Sequence, residues 1–370
     1  MLTPADDLPL HQTAEPIAHP GTGDRNHYDR YFFNGHTRDG SLFFSAAMGL
    51  YPNRQVIDGA FSVVRDGVQR SVLASGRIPA DRRRTQIGPV RIEVVEPLRT
   101  LRVIVDDDEL GADLTFEARS AAWEEPRFTR YGHDTRLVMD YTRLTQWGRW
   151  SGSVEVDGER IVVDELDVVG VRDRSWGIRS VGEGETGVPG RAPQFFWLWA
   201  PLHFDDYCLH FACNDSADGI PWYTSGVVLP DVAPGGATWG PDAPGAAVRA
   251  VDHEITWRPG TRRVERARLV LEPWRADPIE VELEPVVDFQ MRGVGYFHPE
   301  FRHGCWLGEE VVGHDTLVLA DVDPIDFVNL HIQSVVRATA GDEVGVGVLE
   351  QLVIGPHEPT GLTGLADGAS

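Results

Sequence analysis

Glycine and proline are scattered through the whole sequence, 39 of one and 25 of the other in 370 residues, and they cut it into short runs that alternate or are wholly apolar. A chain interrupted this often cannot sustain a helical period, whereas short strands separated by turns tolerate the interruptions. Strands are expected at 91–95, 102–105, 160–171, 194–200, 207–214, 268–272, 279–283, 316–321, 328–337 and 344–354. Two of the turns are legible as two-residue hairpins, Asp66-Gly67 and Asp157-Gly158, each between strand-like runs. One or two short helices are the most the pattern allows. The expectation is an all-β protein of two lipocalin-like barrels or sandwiches packed together.

Two loop-rich stretches organise the chain: 182–193, built of glycine, glutamate and proline, and 230–245, a long surface loop. They divide it into a flexible leader at 1–24, a domain at 25–181, a linker at 182–193, a domain at 194–357 and a flexible tail at 358–370.

Composition removes several chemistries. All 34 basic residues are arginine, so Schiff-base, pyridoxal-phosphate, Ser-Lys and P-loop mechanisms have no lysine to use. A net charge of −23 repels phosphate backbones, which argues against nucleic acid as a partner. The longest strongly apolar stretch, 195–204, is broken by Pro201 and His203 and is too short to span a bilayer as a helix. The first 20 residues lack the apolar core of a secretion signal, and three cysteines make no disulfide framework; a cytoplasmic protein is expected.

Motif strings give little. Residues 182–187 spell GxGxxG, but Pro189 follows where a helix should open, and two glutamates would face the phosphates. Neither GxSxG nor HExxH occurs. His203, Cys208, His210 and Cys213 are close in sequence, as are His298, His303 and Cys305. On a strand Cys208 and His210 share a face while Cys213 points the other way, which suits a mixed wall better than a tetrahedral cage, so neither a metal nor a cofactor is expected. Eleven tryptophans either fill two cores or line an elongated apolar cavity inside or between the domains.

Two carboxylates stand where strand alternation asks for hydrophobes. Glu350 shares a face with Val344, Val346, Val348, Leu352 and Ile354. It either pairs with an arginine or serves chemistry, burial raising its pKa toward that of a usable acid. In 169–179 the alternation puts Asp173 with Val169 and Val171, and Arg172, Arg174 and Trp176 on the opposite face. A strand end tied down by arginine–aspartate pairs would also explain this segment.

Residues 172–179, Arg-Asp-Arg-Ser-Trp-Gly-Ile-Arg, resemble the Asp-His-Ser-Trp-Gly-x-Arg signature of the carotenoid 1,2-hydratase (hydroxyneurosporene synthase) family, whose superfamily includes kievitone hydratase and AttH-type proteins. The phrases at 43–53 and 347–351 resemble an uncharacterised subgroup of that superfamily. Arg174 replaces the usual histidine, and Val171 stands where the carotenoid enzymes carry a tyrosine, which shifts the substrate away from carotenoids. The resemblance implies two lipocalin-like domains, the signature near their junction, and addition of water to a prenyl-type alkene without metal or redox cofactor. It implies that Asp173 is the acid. Glu350 would orient or deprotonate water, and the faces of Trp176, Trp197 and Trp199 would stabilise a tertiary carbocation. Arg179, His210 and Tyr51 complete the candidate substrate-binding set. The substrate would be a small apolar terpenoid alkene or tertiary alcohol, handled in either direction by a monomer or homodimer. A cyclase or isomerase of an apolar polyene, or a non-catalytic lipid, terpenoid or steroid carrier, would use the same architecture.

Overall fold

The structure is a computed structural model and describes residues 1–132, 135–165, 167–182, 188 and 193–369. Most of the expected linker 182–193, and the GxGxxG string beyond Gly182, lie outside the described residues.

Among the described residues the first half, with one strand added from the second, forms a strongly curved 14-stranded antiparallel sheet, and the second half a closed barrel of eight strands. Short 3-10 turns are the only helices among the described residues, and no helix is long and apolar enough to cross a membrane. Both predicted hairpins form. Asp66 and Gly67 join Val56–Arg65 to Val68–Arg77, and Asp157 and Gly158 join Leu137–Val156 to Glu159–Val163. All four turn residues have φ between 50° and 74°, the left-handed region that Asp-Gly turns supply at low cost. The expected strand at 160–171 is two strands, Glu159–Val163 and Val168–Arg179. The acidic residues Asp164, Glu165 and Asp167 form the turn between them, and both strands pair with different stretches of Leu137–Val156.

The sheets depart from the expected 25–181 and 194–357 division in one place. Between the barrel strands Ile279–Gln290 and His331–Ala340 the chain leaves the barrel and sends Glu310–Val318 to the edge strand Val68–Arg77 of the first sheet. Covering that edge removes a row of unpaired backbone groups. The excursion is clamped by Ser62 Oγ to Gly293 O (2.7 Å), Gln69 Nε2 to Gln290 O (2.8 Å) and Ser75 Oγ to Cys305 O (2.9 Å).

Three hydrophobic cores result. One fills the first sheet around Phe33, Phe44, Phe116 and Trp150, and one fills the barrel around Phe196, Leu198, Phe211 and Leu269. The third lies between the two bodies and includes Tyr28, Phe32, Trp147, Val171, Trp197, Trp199 and Val348. This explains the long apolar run: Phe195–His203 is buried on both faces, its even positions in the barrel and Trp197 and Trp199 at the junction. The terminal stretches expected to be flexible are hydrogen-bonded to the folded bodies. Asn53 Nδ2 donates to Thr22 O and Asp24 O, and Arg262 donates to the carbonyls of Gly355, Gly364 and Asp367.

Candidate active site at the junction

Alternation along Val168–Arg179 turns Asp173, Ser175 and Arg179 toward the junction, where they line a cavity of about 560 Å³. The neighbouring strands His27–Thr37 and Leu137–Val156 add Arg30, Phe32, Tyr141 and Arg143. Register fixes their arrangement: Asp173 lies opposite Phe32 on one side and Thr145 on the other, and Ser175 lies opposite Arg30 and Arg143. The barrel contributes Phe195, Trp197, His331, Glu350, Leu352 and Ile354, and the excursion adds Tyr296 and His303. Asp173 and Glu350, from different sheets, therefore face one enclosure.

Their environments differ. Burial raises the Asp173 carboxyl to about 6, against the opposing pull of Arg143 and Arg30 and with help from the nearby charges of Glu350 and Glu125. None of the described residues forms an ion pair with Asp173. Arg172 is held instead by Gln146 (2.7 and 2.9 Å), and Arg174 by Asp29, both on the other face. Burial would also raise Glu350, but donors overturn that expectation. Gln333 Nε2 (2.7 Å), His331 Nε2 (2.9 Å) and Trp197 Nε1 (3.1 Å) reach its carboxylate, and it sits below its ordinary pKa. Glu350 is thus an ionised acceptor held by His331, Gln333 and Trp197, not an acid and not an arginine-paired glutamate.

Behind this layer lies a group the sequence did not announce. Glu125, only 2% exposed, accepts both arms of Arg143 (2.6 and 2.8 Å), Thr145 Oγ1 (2.6 Å) and Tyr223 OH (2.7 Å). Burial would raise its pKa, but Arg143 and His210 hold it well below the usual carboxylate range. The Arg143 guanidinium lies 5.0 Å from the Trp197 ring and 5.5 Å from Trp199. On the far wall Arg30 and Arg179 lie 4.6 and 5.6 Å from the Tyr296 ring, and Arg179 donates to its hydroxyl (3.4 Å). Arg143 could have been suspected from Met139, Tyr141 and Trp147 on its own face, and Arg30 from Tyr28 and Phe32. Glu125, outside any predicted strand, left no such signal.

The candidate residues separate accordingly. Asp173, Arg179, Trp197 and Glu350 line the cavity. Trp199 and His210 are buried one layer behind, with Trp199 Nε1 3.4 Å and His210 Nε2 3.5 Å from Glu125. Tyr51 is buried beside Asp58, outside the cavity wall; burial raises Asp58 to about 6. Trp176 is 41% exposed, because the alternation that turns Asp173 inward carries it outward. Its neighbour Gly177 is required by geometry: φ is 138°, and a Cβ would stand 2.3 Å from Asp140 O. Gly177→Ala is expected to destabilise the fold by about 2 kcal/mol or more, read from the midpoint of denaturant unfolding.

A second, larger hollow of about 950 Å³ opens beside the leader, lined by Arg82, Arg83, Arg84, Arg91 and Arg174 among others. It contains none of the predicted catalytic groups.

Among solved structures the fold is similar to kievitone hydratase from Nectria haematococca, at 11% identity over 88% of each chain and a TM-score of 0.54. It is also similar to a putative AttH from Nitrosomonas europaea, at 15% identity over 88% of this chain and 92% of that one, with a TM-score of 0.52. At such identities the likeness concerns the fold. No curated protein matches the sequence. The profile of the family of unknown function DUF8625 matches residues 2–363, and the chain belongs to that family.

Proposed function

We propose that the junction cavity is the active site of a cofactor-independent hydratase or dehydratase acting on an apolar alkene or tertiary alcohol of isoprenoid type. The observation that carries the reading is the convergence of Asp173 and Glu350, one carboxyl pushed up and the other held down, on one enclosure with an aromatic wall. Two carboxyls driven apart in pKa form an acid and base pair. In hydration, protonated Asp173 gives its proton to the alkene carbon. The cation that forms lies against Trp197 and Phe195, and a water oxygen adds to it while Glu350 takes the released proton. Solvent exchange then returns the proton to Asp173. Carbon and oxygen keep their joint oxidation level, so the step needs no redox partner. Dehydration runs the same transfers backwards. Arg143, beside Trp197, is paired with Glu125, whereas Arg30 and Arg179 form no ion pair among the described residues and disfavour a cation at their end, so an oxygenated head group belongs there and the alkene near Trp197. The fold of kievitone hydratase is compatible with this reading.

The test is turnover of terpenoid and prenylated phenolic alkenes, and the matching tertiary alcohols, in oxygen-18 water. Incorporation of solvent oxygen supports hydration. A product without it reassigns the cavity to cyclisation or isomerisation, and tight retention without turnover makes it a carrier. Because the forward step needs Asp173 protonated, kcat/KM for hydration is expected to fall about tenfold per pH unit above about 6. A rate that rises through that range would remove Asp173 from the acid role.

A further inference from the structure

The interior of the barrel carries a second convergence of ligating groups, on the opposite face of the strands from the junction cavity. Cys213 and Asp215 project from one face of Tyr207–Asp215, and His253 comes from Ala246–Trp257. One ligand atom from each of these three lies within 4.8 Å of the other two. His253 Nε2 is 2.9 Å from Asp215 Oδ2, and His357 Nε2, from the segment after the last strand, approaches the same oxygen at 3.5 Å.

His357 is the decisive residue. It is 1% exposed, and its Nε2 makes no hydrogen bond although it points at the cluster. Its Nδ1 is 2.9 Å from Thr360 Oγ1, the outer contact that fixes an imidazole so that its other nitrogen can bind a metal. Cys213 is a free buried thiol. Phe196 packs against both imidazoles, with ring centroids 3.8 Å from His357 and 5.3 Å from His253, and so supplies an apolar shell.

We propose that Cys213, Asp215, His253 and His357 form a closed, tetrahedral site for a zinc-type divalent ion. Thiolate with imidazole and carboxylate is a donor set suited to zinc, and four protein ligands mark a structural site, not a catalytic one. Metal–ligand bonds of about 2.0–2.3 Å set ligand atoms roughly 3.3–3.8 Å apart; those of Cys213, Asp215 and His253 already lie within 4.8 Å of one another, and His357 Nε2 lies 3.5 Å from Asp215 Oδ2, so His357 turns inward to complete the set as the ion binds. Binding releases the thiol proton of Cys213 to solvent. The ion would staple the segment around His357 to the barrel strands, alongside the hydrogen bonds from Glu358 N to Ala217 O (2.7 Å) and Gly355 N to Leu365 O (2.8 Å).

The test is cobalt(II) titration of the chelator-treated full-length protein. One equivalent is expected to bind, with visible bands of tetrahedral cobalt and a near-ultraviolet thiolate-to-cobalt band. Cys213→Ser should remove the thiolate band, and His357→Gln the tetrahedral spectrum. Thr360→Ala keeps all four ligands and should weaken binding about 10–100-fold, with Thr360→Ser restoring it. Absence of the thiolate band from the wild-type protein overturns the proposal whatever the variants do, as does a spectrum unchanged in Cys213→Ser and His357→Gln. Circular dichroism shows whether each variant is folded.

Discussion

Replacing Asp173 with asparagine is expected to lower turnover by roughly a hundred- to ten-thousandfold while substrate still binds. That range is the contribution of a positioned general acid, and asparagine keeps the shape of the side chain without the transferable proton. The stability readout separates this role from a structural one. The folded-state pKa of Asp173 is about 6, above that of an aspartate in an unfolded chain. As pH rises between those values the unfolded state gives up its proton first, so the carboxyl costs stability, and the cost is complete above about 6. Asp173→Asn should therefore be at least as stable as the wild type at pH 7, in urea unfolding, and catalytically disabled. A variant both inactive and much less stable would identify Asp173 as a structural residue.

The second large effect is expected at Glu125. Its carboxylate is enclosed by Arg143, Thr145 and Tyr223, and Glu125→Gln leaves the guanidinium of Arg143 buried without its counter-charge. Breaking a buried pair by removing one partner costs about 3–5 kcal/mol, and this should appear as a lower urea midpoint. Substituting both residues, Glu125→Gln with Arg143→Met, should recover part of the loss, because no uncompensated charge remains. The single variant has a functional signature as well. With Glu125 neutral, Arg143 acts unopposed on Asp173 and draws its pKa down. The decline of hydration rate with pH should then begin below 6. If the pH profile stays where it is in a folded Glu125→Gln protein, Arg143 does not communicate with the acid.

The two carboxylates of the site were visible as interruptions of strand alternation, and this worked because a strand's period of two turns a sequence position directly into a face. Glu350 on the face of Val346 and Val348, and Asp173 on that of Val169 and Val171, both point into the junction. The same rule placed Cys208 and Cys213 on opposite sides, one at the junction and one inside the barrel. Alternation does not report what stands across the gap. The expected rise in the pKa of Glu350 is reversed by His331, Gln333 and Trp197, which reach it from two neighbouring strands. Trp176, chosen for its aromatic face, lies on the wrong side of its strand, as its even position already implied.

By itself, the amino-acid sequence determined the all-β class, both Asp-Gly hairpins and the inward faces of Asp173 and Glu350, because turn chemistry and alternation are local properties carried by adjacent residues. Its lack of lysine also excluded amine-dependent chemistry. Only the tertiary structure decided that the cavity lies between the two bodies, that residues 310–318 return to the first sheet, and that Arg143 and Glu125 stand behind the acid. The metal ligand set is of the same kind, since His253 and His357 are brought to Cys213 and Asp215 by barrel closure and the docked C-terminal segment. These features depend on pairings across tens to hundreds of residues. Their energies come from burial and electrostatics between surfaces that meet only once the chain has folded.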